Sequence, residues 1–229
     1  MRKYLLISLC LCMLSGCHVP EQEGDNGDVI KSESLIELYI LATSTNPIRI
    51  PFTEGAPIGK GEQGITLNNS EAERVPLMEM RQRYDDTHYN SYKRMGYYVV
   101  YANDFIAMDL VSDTDFNGIK AGESLGGIVR LHSLSPYRWL ISGSKVTFDW
   151  TLFNDVTFWP NNTSALPIKQ LFPVNSYLKD LSPNDLKLLM VNHTFLYFEE
   201  LPTIKKHTLT LTFYEADSAI TSSTQVVFQ

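Results

Sequence analysis

The sequence predicts a mainly β protein with a single β-sandwich-like, immunoglobulin-like domain and one or two short helices. Several short runs alternate apolar and polar residues with a period of two, the pattern of half-buried strands. Signals for helices are few, and no repeat or linker divides the chain. Many short strands joined by turns are typical of two sheets packed face to face.

Alternation predicts strands in four segments of the chain. The first three candidates are residues 36–40, 106–111 and 146–152. The clearest candidate is 208–214, where threonines alternate with apolar residues. This alternation predicts one face exposed to solvent and one buried face.

Other strands are predicted from continuous apolar runs. Residues 97–102 and 195–198 are apolar on both sides, as in a central strand. Residues 220–228 form another candidate, and the polar turn at 215–218 predicts that the chain ends in a hairpin.

Helices are predicted in two places. Ser182, Pro183 and Asp185 form a helix-start signature, which predicts a short helix over about 183–190. The polar stretch 71–92 is expected to be partly helical, with Pro76 as an interruption.

The N-terminus carries an export signal. Arg2 and Lys3 precede an apolar run at 4–14 that is too short to span a bilayer. Leu14-Ser15-Gly16-Cys17 follows and resembles a bacterial lipobox, which implies that Cys17 is lipidated and becomes the mature N-terminus. The alternative is an ordinary signal peptide with a chance cysteine. The predicted division is therefore a signal peptide at 1–16, a lipidated, flexible acidic tether at 17–34, and the domain at 35–229.

Charge and cysteine content limit the partners. The chain has 229 residues with a net charge of −7, and loss of Arg2 and Lys3 with the signal peptide would make this −9. Nucleic acid is excluded as a partner, because its binders need a basic face. Cys10 and Cys12 would be removed as well, so the exported domain would have no disulfide.

Two further segments resemble a known group of proteins. They are "NDFIAMDLVSDTDFNGIKAGESL" at 103–125 and "TFLYFEELPTIKKHTLTLTFYEADSAITSSTQVVF" at 194–228. With the lipobox, they resemble small Bacteroidetes envelope lipoproteins of unknown function. That resemblance implies the β-sandwich and a cell-envelope location, but no activity. Because His18, rather than aspartate, follows Cys17, we expect an outer-membrane anchor, with surface exposure as a further expectation.

One loop is a weak candidate for a metal site. Asp113, Asp115 and Asn117 alternate before Gly118, and hard cations such as calcium favour such oxygen ligands. An EF-hand would also need glutamate at its twelfth position, where Ser124 stands. The favoured interpretation is a loop of Asx turns with Gly118 in a left-handed conformation, so no cofactor is predicted and calcium stays the alternative.

Aromatic and hydroxyl side chains supply the other candidates. Packing in the core or at its rim is the favoured interpretation of Trp139, Trp150 and Trp159, with Trp150 on the apolar face of a strand. The alternative is a platform that stacks on sugar rings, for which Trp159 is the better candidate. The tyrosine-rich stretch 84–101 is interpreted as a solvated helix or loop rather than a partner surface. Asp217-Ser218-Ala219 weakly resembles an O-glycosylation site of exported Bacteroidetes proteins, which would modify Ser218.

No catalytic motif is present, so the sequence predicts a protein that is not an enzyme. The leading hypothesis is a lipid-anchored envelope protein that binds a glycan or a protein partner, or adheres, at the outer membrane. Two alternatives remain open: a hydrolase that acts on polysaccharide or peptide, and a structural subunit of a surface fibre or larger complex.

Overall fold

The computed structural model describes residues 29–51, 64–68, 72–94, 98–153 and 168–228. Strands and bridges take up 40% of these residues and helices 13%, so the domain is mainly β, as predicted. The predicted signal peptide, Cys17 and Trp159 lie outside the described residues.

Twelve strands and two α-helices are found in the described part of the chain. The strands are β1 (Val29–Ser32), β2 (Leu38–Leu41), β3 (Gly64–Thr66), β4 (Glu73–Arg74), β5 (Ser91–Arg94), β6 (Val99–Tyr101), β7 (Ala107–Ser112), β8 (Val129–Ser135), β9 (Phe172–Tyr177), β10 (Phe195–Phe198), β11 (Lys206–Tyr214) and β12 (Ala219–Val227). The helices are α1 (Leu77–Tyr84) and α2 (Tyr137–Ile141), and short 3₁₀ turns occupy Trp150–Leu152, Leu178–Asp180 and Val191–His193.

Two antiparallel sheets form the sandwich. One has the order β3-β10-β8-β9 and the other the order β12-β11-β7. Their inner faces meet in one large core cluster, which includes Leu131 and Leu196 of the first sheet and Leu211 and Phe213 of the second. All four side chains are at most 1% exposed, so apolar burial between the sheets is the main source of stability.

A loop segment links the two sheets at one side of the sandwich. Arg49 exchanges backbone hydrogen bonds with Asn68, at the end of β3. Ser222 and Thr224 of β12 donate side-chain hydrogen bonds of 2.7 and 2.9 Å to the carbonyl groups of Ile48 and Ile50. Residues 48–50 therefore lie under the inner face of β12 and close that side of the core.

A second core cluster lies beside the sandwich. It gathers residues around the sheet β4-β2-β6, in which β2 and β6 are parallel, and includes Trp139, Trp150 and Leu134. The two tryptophans are 3% and 6% exposed, which confirms that they pack in the core.

Two buried charges hold the chain next to β1. The Asp86 carboxylate accepts hydrogen bonds from the Leu35 and Ile36 amides, at 2.8 and 3.0 Å, and from the Ser34 hydroxyl at 2.6 Å. The Lys93 ammonium donates to the carbonyl groups of Ser34 and Leu35 at 2.8 and 2.9 Å. We call this arrangement the 34–36 clamp. Its hydrogen bonds compensate for the loss of water around two charges that are 0% and 3% exposed.

Most predicted strands are present. Residues 106–111, 97–102, 195–198, 208–214 and 220–228 correspond to β7, β6, β10, β11 and β12, and the last two form the predicted terminal hairpin. β10 is central, as predicted, because it pairs with β3 on one side and β8 on the other. The central position predicted for 97–102 is not found, because β6 ends the order β4-β2-β6. The strand predicted at 36–40 is shorter, since β2 begins at Leu38.

The strand predicted at 146–152 is wrong. Val146 and Leu152 are 52% and 75% exposed, and Trp150–Leu152 forms a 3₁₀ turn. The Asp149 carboxylate accepts from the Thr151 amide at 3.0 Å and from its hydroxyl at 2.6 Å. Such local hydrogen bonds give the backbone an alternative to a strand ladder.

The helix predictions are correct for one of the two segments. Within 71–92, α1 begins directly after Pro76 and ends at Tyr84, and the next residue, Asp85, has a left-handed φ of 53°. The helix predicted at 183–190 is wrong, because the chain forms turns there and Leu188 has a φ of 52°. Asp185 does accept hydrogen bonds from the Ser182 amide and hydroxyl, but this capping contact is not followed by a helix.

The predicted boundary between tether and domain also changes. β1 pairs with β5 in antiparallel register from Val29↔Arg94 to Ser32↔Ser91. The domain therefore includes Val29, and residues 29–34 are not part of a flexible tether.

Candidate functional site

The candidate site lies on the outer face of the sheet formed by β10, β8 and β9. Strand register aligns Tyr197, Arg130 and Tyr177 in a row across the three strands. Because side chains alternate along a strand, Arg130 must point away from the core that contains its neighbour Leu131. We call these three residues the Tyr–Arg–Tyr row.

Arg130 is the centre of the row. Its guanidinium carbon is 4.8 Å from the centroid of the Tyr177 ring, a cation–π contact. Its Nη1 atom is 3.6 Å from Glu199 Oε1, and the Arg130 side chain is 29% exposed. The guanidinium is thus held between Tyr177 and Glu199, and the side chain as a whole stays partly open to water.

Glu199 contacts both partners of this cation–π pair. The Tyr177 hydroxyl donates a 2.5 Å hydrogen bond to Glu199 Oε1, the same oxygen that is nearest to Arg130. This hydrogen bond is the main reason why the pKa of Tyr177 is raised, with burial and the charge of Glu199 adding to it. The phenol therefore stays a hydrogen-bond donor at neutral pH.

The other side of the row is a second aromatic contact. The Tyr197 ring stacks on the imidazole of His132, with centroids 4.9 Å apart and planes at 10°. His132 lies one step further along β8 on the same face and is 1% exposed. It therefore supports Tyr197 from below, which fixes the orientation of that ring.

The row combines two kinds of recognition. Flat aromatic faces can stack on apolar ring faces of a ligand, and the paired guanidinium and carboxylate can donate and accept hydrogen bonds. This combination suits a ligand that has a flat apolar face edged with hydroxyl groups.

The predicted metal-site residues have separate partners. Asp115 accepts from the Lys120 ammonium at 2.7 Å and from the Ala121 amide at 3.0 Å, and these contacts lower the pKa of its carboxyl. Asp113 accepts from the Thr208 amide at 2.6 Å, and its pKa is lowered chiefly by Thr208. Asn117 donates from its side chain to backbone carbonyl groups at 3.3–3.4 Å. The described residues contain no group of three or more His, Cys, Asp or Glu that could hold a metal ion.

The predicted left-handed conformation of Gly118 is present. Asn117 and Gly118 have φ values of 47° and 91°, and the flanking Phe116 and Ile119 exchange backbone hydrogen bonds of 2.9 and 3.0 Å. A two-residue turn with both φ values positive is a type I′ turn, for which Asn-Gly is the preferred sequence.

Ser218 lies in the exposed turn between β11 and β12. Its hydroxyl donates a 2.8 Å hydrogen bond to the Glu215 carboxylate. Glycosylation of Ser218 stays a prediction.

A serine–histidine pair is enclosed between the two sheets. Ser112 Oγ lies 2.7 Å from His207 Nδ1, and Nε2 lies 2.8 Å from the carbonyl oxygen of Ile204. Because a carbonyl can only accept, Nε2 carries the proton and Ser112 donates to Nδ1. Ser112 and His207 are 2% and 1% exposed, and the imidazole packs against Phe116 and Phe228. In this conformation the serine is not accessible to a substrate, and the pair holds the 204–207 segment to β7.

The sequence prediction did not identify the Tyr–Arg–Tyr row or Glu199. One signal was available, since Arg130 and His132 alternate with apolar residues in "VRLHSLS". This alternation predicts a polar outer face, but it does not show which strands lie on either side.

Comparisons with protein-family models, with curated proteins and with solved structures found no match to the chain. Among the described residues, no helix has the length and apolar character needed to cross a membrane. The chemistry of the site is therefore inferred from its own residues.

Proposed function

We propose that the chain is a lipid-anchored protein of the cell envelope that binds a glycan without catalysis. The observation that carries this proposal is the Tyr–Arg–Tyr row, with its partly exposed arginine side chain and its two aromatic rings on one face of the sheet. Pyranose rings offer an apolar face that stacks on tyrosine and hydroxyl groups that hydrogen-bond with Arg130 and Glu199.

The charge of the cluster favours a neutral glycan. Arg130 and Glu199 lie 3.6 Å apart and neutralise each other, so the site has no net charge with which to attract an ion. Sugar hydroxyls both donate and accept hydrogen bonds, and they match a guanidinium beside a carboxylate. The acidic chain would add repulsion against an anionic polysaccharide.

The anchor is proposed on the Leu14–Cys17 segment and its resemblance to a lipobox. Several acyl chains on Cys17 would hold the protein firmly at a membrane, since one chain alone gives only marginal binding. We place the anchor in the outer membrane of a Bacteroidetes-type cell, where a glycan-binding domain would meet polysaccharides from the surroundings.

The binding proposal is tested by affinity electrophoresis of the full chain, in a non-ionic detergent, in gels with soluble neutral polysaccharides and with polygalacturonate. We expect a neutral polysaccharide to retard the wild type, and Tyr177→Ala to weaken binding about fivefold or more, because stacking contributes about 1 kcal/mol or more. Tyr92→Ala is the matched control, since Tyr92 is an exposed tyrosine on another strand. Retardation by none of the polysaccharides, or equal retardation of wild type and Tyr177→Ala, would refute the site.

The anchor is tested separately, by metabolic labelling with an alkyne fatty acid in a Bacteroidetes host. Cys17→Ser should abolish the label, and Cys12→Ser, a cysteine within the predicted signal peptide, should keep it. Label that persists in Cys17→Ser would contradict the anchor while leaving the glycan result unaffected.

A further inference from the structure

The edge strand β12 presents a free row of backbone hydrogen-bonding groups. It lies at the end of the order β12-β11-β7, and among the described strands it pairs with β11 alone. Two hydrogen bonds mark the ends of the hairpin: Glu215 N–H donates to Ser218 O, and Phe228 N–H donates to Lys205 O. They show that the even-numbered residues of β12 direct their backbone N–H and C=O groups toward β11. The odd-numbered residues therefore direct their N–H and C=O groups away from the sheet. In the described part of the chain these outward groups have no backbone partner.

This edge has none of the features that usually protect a strand from pairing. Residues 219–227 read AITSSTQVV, with no charge, no proline and no glycine over nine positions. Natural edge strands are commonly blocked by lysine, proline, a bulge or a covering segment.

The opposite edge of the same sheet is covered. The Gly122 and Leu125 amides each donate a 2.8 Å hydrogen bond to β7, to the carbonyl groups of Ser112 and Leu110. One edge of the sheet is thus closed by the chain itself, and no described residue forms a backbone hydrogen bond with the other edge. Such an open edge is suited to the addition of a strand.

The charges around β12 indicate what pairs with it. The turn at one end of the strand carries Glu215 and Asp217, and Lys205 and Lys206 lie beside its other end. If two copies pair antiparallel across β12, the acidic turn of each copy lies at the same end of the paired strands as the lysines of the other, which favours this orientation. The strand itself is neutral, so nothing along it repels a second copy.

We propose that the chain forms a dimer by antiparallel pairing of β12 with β12 of a second copy, about a two-fold axis near Ser223. The two three-stranded sheets then become one six-stranded sheet with the order β7-β11-β12-β12-β11-β7, in which the last three strands belong to the second copy. A two-fold contact of this kind is self-complementary, as closed dimers require. This inference goes beyond glycan binding and does not depend on it.

The dimer is tested by sedimentation velocity of the full chain in a non-ionic detergent, from about 1 to about 100 µM, the range expected for a small interface. The wild type should shift from monomer to dimer with concentration. Ser223→Pro removes an outward N–H without removing a hydrogen bond to β11, and it should weaken the dimer about tenfold or more. Ser223→Ala keeps that N–H and should behave as the wild type.

Ser223→Lys makes the test independent of any effect of proline on folding. It places two like charges next to each other at the axis, so the dimer should weaken at low salt and recover at high salt. Thermal melting of each variant verifies the fold. A wild type that is monomeric at about 100 µM, or a dimer that both Ser223→Pro and Ser223→Lys leave intact, would overturn the proposal.

Discussion

At the scale of single residues, Lys93 is a buried lysine with a strongly lowered pKa. Burial lowers the pKa of its ammonium to about 8, and the nearby charges of Glu37 and Asp86 only partly offset this. Its amine nevertheless keeps two carbonyl acceptors in the 34–36 clamp, and the neutral form can donate to both. The folded state therefore favours loss of this proton.

The consequence is a rise in stability with pH. Between pH 8 and the usual lysine value near 10.5, the unfolded chain binds a proton that folded Lys93 has lost, so the free energy of unfolding increases. We expect an increase of roughly 1 kcal/mol from about pH 7.5 to about pH 9, measured by urea denaturation. Above about pH 10 the trend should reverse, because burial raises the pKa of Tyr39 and Tyr101 while tyrosines of the unfolded chain ionise.

Lys93→Met supplies the control for this prediction. It should remove the increase between about pH 7.5 and about pH 9, whatever its effect on overall stability. An equal increase in the variant would assign the pH dependence to another group. The burial of Lys93 could not be predicted from sequence, because a lysine among polar and tyrosine residues is indistinguishable from one on a solvated surface.

At the scale of elements, the sequence predicts a strand most reliably where one face of the strand is exposed to solvent and the other is buried. Leu209, Leu211 and Phe213 alternate with threonines, and β11 has this arrangement over its full length. Residues 146–152 show the same alternation and yet form no strand, because Asp149 bonds locally to Thr151. Periodicity thus reports a preference that a short-range hydrogen bond can override.

The type I′ turn at Asn117–Gly118 gives a prediction for one element. Gly118→Ala should lower the free energy of unfolding by about 1 kcal/mol, because an L side chain is strained at a φ of 91°. Gly127→Ala is the matched control: a Cβ there would lie 3.9 Å from the nearest atom, and the change should stay within about 0.5 kcal/mol. Equal losses in the two variants, in chemical denaturation, would mean that backbone strain is not the cause.

At the scale of the whole molecule, the two core clusters share strands. β8 contributes Leu131 to the cluster between the sheets and Leu134 to the cluster beside them. β6 likewise contributes Tyr101 to one and Val100 to the other. Neither cluster can lose its packing without exposing a strand of the other, so the domain should unfold as one unit.

This cooperativity can be measured with two probes. Trp139 and Trp150 belong to the second cluster, so their fluorescence in a Trp159→Phe variant reports on that part of the domain. Far-UV circular dichroism reports mainly on the sheets, and both signals should give the same midpoint in urea. Midpoints that differ would show that the two clusters unfold separately.

The sandwich could be predicted from the sequence, but the candidate site could not. Alternation marks which residues of a strand share a face, and it does so locally. Arg130, Tyr177 and Tyr197 belong to strands that are far apart in the chain, and only their register brings them into one row. That register depends on packing of the whole core, which no local pattern contains.

If the proposed lipid on Cys17 holds the protein by its N-terminus, the pairing of β1 with β5 has a mechanical consequence. Tension on the chain before Val29 reaches the four residue pairs of this small sheet first. The tension then acts on residues 34–36, which are hydrogen-bonded to the buried side chains of Asp86 and Lys93. Release of β1 alone would lengthen the free segment between the anchor and the domain by about 13 Å, at about 3.3 Å for each residue of β1. The sandwich would carry no load until then.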